Sequence, residues 1–126
     1  MTPKKIELKK KSRQLLLHYD DGQFSLSAEF LRVHSPSAEV RGHHPSQAVL
    51  QHGKKNVAIS SIGSTGNYAL QINFDDQHCS GIYSWQYLRE LCDNHDDYWQ
   101  RYLQQLQEEN KSRDPDIEVV RLFDPQ

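Results

Sequence analysis

Cysteine is almost missing from this chain: Cys79 and Cys92 are the only two in 126 residues, and they form no CxxC pair. That excludes a disulfide-stapled scaffold and the thiolate-rich motifs of structural zinc sites. Long apolar runs are missing too, and none approaches the roughly 20 residues a membrane-spanning helix needs. The N-terminus is charged where a secretory signal would have its apolar segment, so the reducing cytoplasm is the expected compartment. Charge of one sign is also scarce, since the formal net charge is -2. Neither nucleic acid nor an anionic membrane is therefore expected as a partner. No complete catalytic motif or cofactor fingerprint occurs, and no Ser/His/Asp order or Cys/His context supports a nucleophile.

What is present describes a folded domain. The chain has the length of one ordinary domain and can bury a core without metal or disulfides. Hydrophobic residues make up 36% and charged residues 25%, while 10% are aromatic, too many aromatics for a disordered polypeptide. Charge is uneven: Lys4, Lys5, Lys9, Lys10, Lys11 and Arg13 face only Glu7 in the first thirteen residues. Ile6 and Leu8 alternate with these charges as in an edge strand, where lysines deter aggregation.

Turn chemistry and periodicity place the elements. Gln14–Tyr19 and Gln23–Leu26 flank Asp20-Asp21-Gly22, a strong hairpin signal. With a strand over Lys4–Lys9 they form an N-terminal meander. Ser27 caps a short turn through Ala28–Leu31. Ala48–Gln51 reads as a short strand or helical turn, and His52–Asn56 as a turn. Val57–Ile62 reads as a strand that the Gly63–Asn67 cluster breaks. Tyr68, Leu70, Ile72 and Phe74 then alternate strictly, Asp75-Asp76-Gln77 turns, and His78–Tyr83 returns as the hairpin partner. Ser84 caps a helix with Trp85, Leu88, Leu91 and Cys92 on one face. Asn94 and Asp97 resemble a capping arrangement for a second helix carrying Tyr98, Trp99, Tyr102, Leu103 and Leu106, which ends near Asn110. Strands first and helices last imply an α+β class: a small, mostly antiparallel mixed sheet with two C-terminal helices packed on it. Residues 1–110 are expected to form one domain and 111–126 a tail, which could be a strand, a docking segment or disordered.

Chemistry-bearing residues crowd into Leu31–His44. His34, His43, His44, His52 and His78, with Cys79, raise a metal hypothesis, but the spacing is not diagnostic. Adjacent side chains such as His43 and His44 ordinarily diverge, and surface histidines explain the count. His18-Tyr19-Asp20 matches half of a two-histidine, one-carboxylate iron site, with His78 as a conceivable third ligand. So short a motif is common by chance, and no Arg-rich cosubstrate pocket accompanies it. Arg32 and Arg41 flank Ser35, Ser37 and Gly42 and could recognise a phosphate or carboxylate. Equally, Arg32 could pair with Glu39 and fix the loop. Gly63-Ser64-Thr65-Gly66 lacks the Lys-Ser/Thr of a phosphate loop. Trp85, Tyr87, Tyr98 and Trp99 lie mostly on apolar helical stripes and are expected to be core and helix-packing residues rather than nucleic-acid stacking platforms.

Leu31-Arg32 before Ser35-Pro36-Ser37, the Asp21-Gly22 hairpin and Gly81-Ile82-Tyr83-Ser84-Trp85-Gln86-Tyr87-Leu88 together resemble the γ-butyrobetaine hydroxylase-like N-terminal domains, also called domain of unknown function 971, over about residues 3–95. The resemblance implies a small mixed sheet with helices, in a domain found alone in bacteria, on carnitine-biosynthesis oxygenases and on Mrp-type iron–sulfur carriers. This chain looks like the stand-alone form. In the oxygenases the domain holds zinc with a Cys-Pro-Cys-x-x-Cys loop and a distant histidine. Here Ser35, Ser37 and Val40 occupy the cysteine positions and only His78 matches. A serine hydroxyl stays protonated and cannot replace a thiolate, so the zinc site is expected to be absent, with Ser35 and Ser37 bonding loop backbone instead. The oxygenase reaction belongs to a separate catalytic domain and does not transfer.

The expectation is therefore a non-catalytic interaction or adaptor domain with a protein partner, linked by the resemblance to iron–sulfur or redox-enzyme assembly. No cofactor is expected, though zinc and iron stay open. Arg32, Arg41, His43 and Trp85 are the candidate ligand- or partner-binding residues. The alternative is a small-ligand or metal-binding module built from the Arg32–His44 loop and His78.

Overall fold

The computed structural model describes residues 1–37, 40, 49–76 and 81–120. Three strands open the chain: β1 (Lys5–Lys9), β2 (Gln14–Tyr19) and β3 (Gly22–Ser27). They pair antiparallel in the order β1-β2-β3. Register puts Ile6 opposite Leu17, Leu8 opposite Leu15, Leu15 opposite Leu26 and Leu17 opposite Phe24. All these apolar residues thus share one face, as period-2 alternation requires. Leu15, Leu17 and Leu26 are buried there, with Ile6, Leu8 and Phe24 packed partly around them.

Ser27 ends β3 and starts α1 (Ala28–Val33), its side chain accepting a hydrogen bond from the Phe30 N–H. All six residues of α1 are buried. The second sheet follows: β4 (Ile59–Thr65), β5 (Ala69–Phe74) and β6 (Gly81–Ser84), antiparallel in the order β4-β5-β6. Ser84 caps α2 (Trp85–Asp93) by accepting from the Tyr87 N–H, and α3 (His95–Glu108) follows almost at once. One core joins both sheets with α1 and α2, through Leu15, Leu17, Phe30, Leu31, Ile72, Tyr83, Leu88 and Leu91. A smaller cluster of Val33, Tyr102 and Leu106 seats α3.

The α+β class and the two C-terminal helices agree with the sequence, and the strands divide into two three-stranded sheets. Several local expectations need correction. The Gly63–Asn67 cluster does not end its strand: β4 starts only at Ile59 but runs through Gly63, Ser64 and Thr65, and the reversal falls at Gly66-Asn67. Gly66 has φ +53° there, a left-handed conformation that favours glycine. Tyr68 belongs to this turn and is 61% exposed, so the strand alternation begins one residue later. Asn94 forms no side-chain cap on α3, because its amide donates instead to the Glu90 carbonyl at 2.9 Å. Residues Val49–Gln51 are neither strand nor helix. The tail, left open by the sequence as strand, docking segment or disordered, has these contacts over residues 111–116: the Gly53 N–H donates to the Ser112 carbonyl, the Lys55 N–H donates to the Arg113 carbonyl, and Arg113 forks onto Glu29 at 2.7 and 2.8 Å.

Candidate functional site

Arg32 lies on α1, which delivers its guanidinium into a buried charge cluster. Only 6% of the residue is exposed. Its Nε donates to Asp76 Oδ2 at 2.8 Å, and Lys54 Nζ donates to the same oxygen at 2.6 Å. Burial works to raise the Asp76 carboxyl, but hydrogen bonds and charge from Lys54 and Arg32 outweigh it and hold the group below its ordinary range. The carboxylate fixing Arg32 is thus Asp76, at the turn after β5, and Glu39 lies outside the described residues. Arg32 Nη1 is buried and has no hydrogen-bond partner.

Just beyond, the chain leaves α1 beside a cleft of about 290 Å³ lined by Val33, His34, Leu50, Tyr87, Tyr102 and Glu109 among others. His34 Nδ1 is 2.8 Å from the Phe30 carbonyl, which can only accept, so Nδ1 carries the proton. The ring stacks on Tyr98 at 5.7 Å and lies 4.5 Å from Phe30. Burial depresses its basicity, the Phe30 carbonyl partly opposes this, and nearby His95 adds to the depression. Two tyrosines clamp the segment: Tyr83 OH donates to the Leu31 carbonyl at 2.5 Å and Tyr87 OH to the His34 carbonyl at 2.6 Å.

Ser35 is fully buried and its Oγ accepts from the Ser37 N–H at 3.3 Å, a hydroxyl bonding loop backbone as the sequence suggested. A Cβ built on Gly81 would stand 2.9 Å from Ser35 Oγ and 2.7 Å from Tyr83 Cε1. The Ser-Pro-Ser loop therefore packs directly on the start of β6, and Val40 is buried apolar surface.

The other candidates separate. Trp85 Nε1 donates to the Asn67 carbonyl at 2.8 Å, so its polar handle pins the β4–β5 turn to α2. His18 Nε2 bonds Glu7 Oε1 at 2.8 Å across β1 and β2, whereas Asp20 pairs with Lys4, so among the described residues the His-x-Asp pair is drawn to separate partners. Arg41, His43, His44, His78 and Cys79 lie outside the described residues. Among the described residues no group of three or more His, Cys, Asp or Glu side chains is placed to hold a metal. Cys92 is buried against α2's neighbours, and burial pushes its thiol up to about 11, which leaves it unreactive near neutrality.

One feature escaped the sequence reading. β4 is an outer strand whose residues Ser60, Ser61, Gly63 and Ser64 are exposed. Ile59 to Thr65 contains no charge and no proline, whereas edge strands are normally guarded by one or the other. The β1 edge has Lys5 and Lys9. Among the described residues, the backbone groups of positions 60–64 bond to no element other than β5. β4 lies inside an uncharged stretch running from Asn56 to Phe74, a signal present in the sequence, but Gly63 reads locally as a strand breaker.

The model of the family described as gamma-butyrobetaine hydroxylase-like, N-terminal, matches residues 6–89, from within β1 through β6 and into α2. Two solution NMR structures are similar over nearly the whole chain. One is 50% identical with TM-score 0.82, covering 97% of each chain. The other is 46% identical with TM-score 0.76, covering 98% of this chain and 93% of that one. A crystal structure from Acidithiobacillus ferrooxidans, described as a protein with unknown function of the DUF971 family, is 33% identical with TM-score 0.59, covering 71% of this chain and 91% of its own. No curated protein matches.

Proposed function

This chain belongs to the gamma-butyrobetaine hydroxylase-like N-terminal family, and from that premise we propose that it is a non-catalytic interaction domain whose protein partner adds an extended segment to the open edge of β4. The observation that carries this is the uncharged, exposed β4 ladder, whose outer main-chain donors and acceptors are unpaired among the described residues and open to an incoming strand. Alternate side chains of that strand would meet Ile62 and the small Ser and Gly positions. Internal bonding of the catalytically capable side chains supports the same reading. Arg32 is engaged by Asp76, His18 by Glu7, Arg89 by Asp21 and Asp93, and Arg113 by Glu29. The family resemblance points to iron–sulfur or redox-enzyme assembly as the partner class.

The test is affinity capture with the intact chain against a Gly63→Lys/Ser64→Lys variant, which restores the charge an edge strand usually carries. A Cβ on Gly63 meets nothing within 4 Å and Ser64 is exposed, so the variant is expected to keep its fold. A partner retained by the intact chain and lost by the variant supports the proposal. A partner retained equally by both refutes docking at β4.

A further inference from the structure

From the charge cluster around α1 we infer an oxyanion-binding site made by Arg32 and Lys54, accepting a carboxylate or phosphoryl group. Three cations meet two carboxylates here among the described residues. Glu29, with its side chain 7% exposed, is taken up by the Arg113 fork. Asp76 is shared by Arg32 and Lys54, which both donate to the same oxygen, Oδ2. Among the described residues the cluster therefore has one more cation than carboxylates, at a place where solvent compensates poorly.

Two features mark this excess as a site rather than a structural pair. Arg32 Nη1 is removed from solvent with no hydrogen bond, although such a donor ordinarily finds a partner. A guanidinium engaged through Nε still offers terminal N–H groups whose geometry suits an oxyanion. Lys54 supplies the second point of attachment, since one of its three protons is committed to Asp76. The Lys54 and Asp76 side chains are 22% and 20% exposed, so the cluster reaches the surface through them while Arg32 lies buried behind. Asp76 has the complementary role of orienting both cations and repelling a ligand that brings no hydrogen-bonding oxyanion edge. The inference is independent of docking at β4.

The test is an NMR titration of the full chain, observing the Arg32 side-chain Nε–H and the Lys54 amide, with sodium acetate and inorganic phosphate in separate arms and sodium chloride at matched ionic strength as control. Saturable shifts at both positions with acetate assign a carboxylate site, and with phosphate a phosphoryl site, while chloride leaves them unmoved. Because Arg32 is buried and its replacement risks unfolding, the decisive variant is Lys54→Gln, which is expected to weaken binding about tenfold with the amide spectrum otherwise preserved. Absence of saturation in both arms, shifts matched by chloride, or unchanged affinity in Lys54→Gln would each overturn the site.

Discussion

His34 is where acid reaches the interior. Its folded-state basicity is depressed, chiefly by burial, so near and below pH 6.5 the unfolded chain binds the proton more readily than the native one. Stability therefore falls as pH drops through the unfolded value toward the lower folded one, and rises again with pH. In His34→Gln the thermal midpoint is expected to be lower at pH 7 but to change less between pH 7 and pH 5, which scanning calorimetry across that window would read. An undiminished slope would place the acid sensitivity elsewhere. Tyr83→Phe removes the buried donor to the Leu31 carbonyl and is expected to cost about 1–3 kcal/mol in urea unfolding. Residue identities made part of this visible in advance. The substitution of Ser35 and Ser37 for thiolates indicated backbone-bonding hydroxyls, and Ser35 meets that description. The partner of Arg32 was not visible, because Asp76 lies far away in sequence and only the fold brings it near.

Elements were most legible where short-range chemistry decides them. Asp21-Gly22 set the first hairpin, and Ser27 and Ser84 each accept the N–H three residues on. The role of Asn94 is not legible locally, because an amide at a helix junction can donate backwards to Glu90 as easily as cap forwards. The extent of β4 is not legible because Gly63, a turn residue by local chemistry, pairs instead with Gln71. At the start of β6, contact between Ser35 and Gly81 makes a pairwise expectation. Gly81→Ala is expected to destabilise by about 1–3 kcal/mol through overpacking, and combining it with Ser35→Gly should recover part of that loss, since it empties one of the two crowded positions. Strict additivity of the two changes in a double-mutant cycle would show that the loop and β6 are not in contact.

For the whole molecule, length and composition indicated one core and the order of elements indicated the class, but not the division into two sheets, which depends on long-range pairing. The chain end shows the same limit. Arg113 gives no periodic signal, yet it neutralises buried Glu29 and draws residues 111–116 onto α1 and the Gly53–Lys55 turn. Truncation after Asn110 is expected to destabilise by about 2 kcal/mol, between the values for exposed and buried ion pairs, as followed by chemical denaturation. Full stability in the truncated chain would assign those contacts no weight. Docking at β4 is tested most directly by amide hydrogen exchange with and without the captured partner. Slowed exchange concentrated in residues 60–64, with β1 unchanged, is the expected result. Protection confined to another surface, with β4 exchanging as in the free protein, would contradict it.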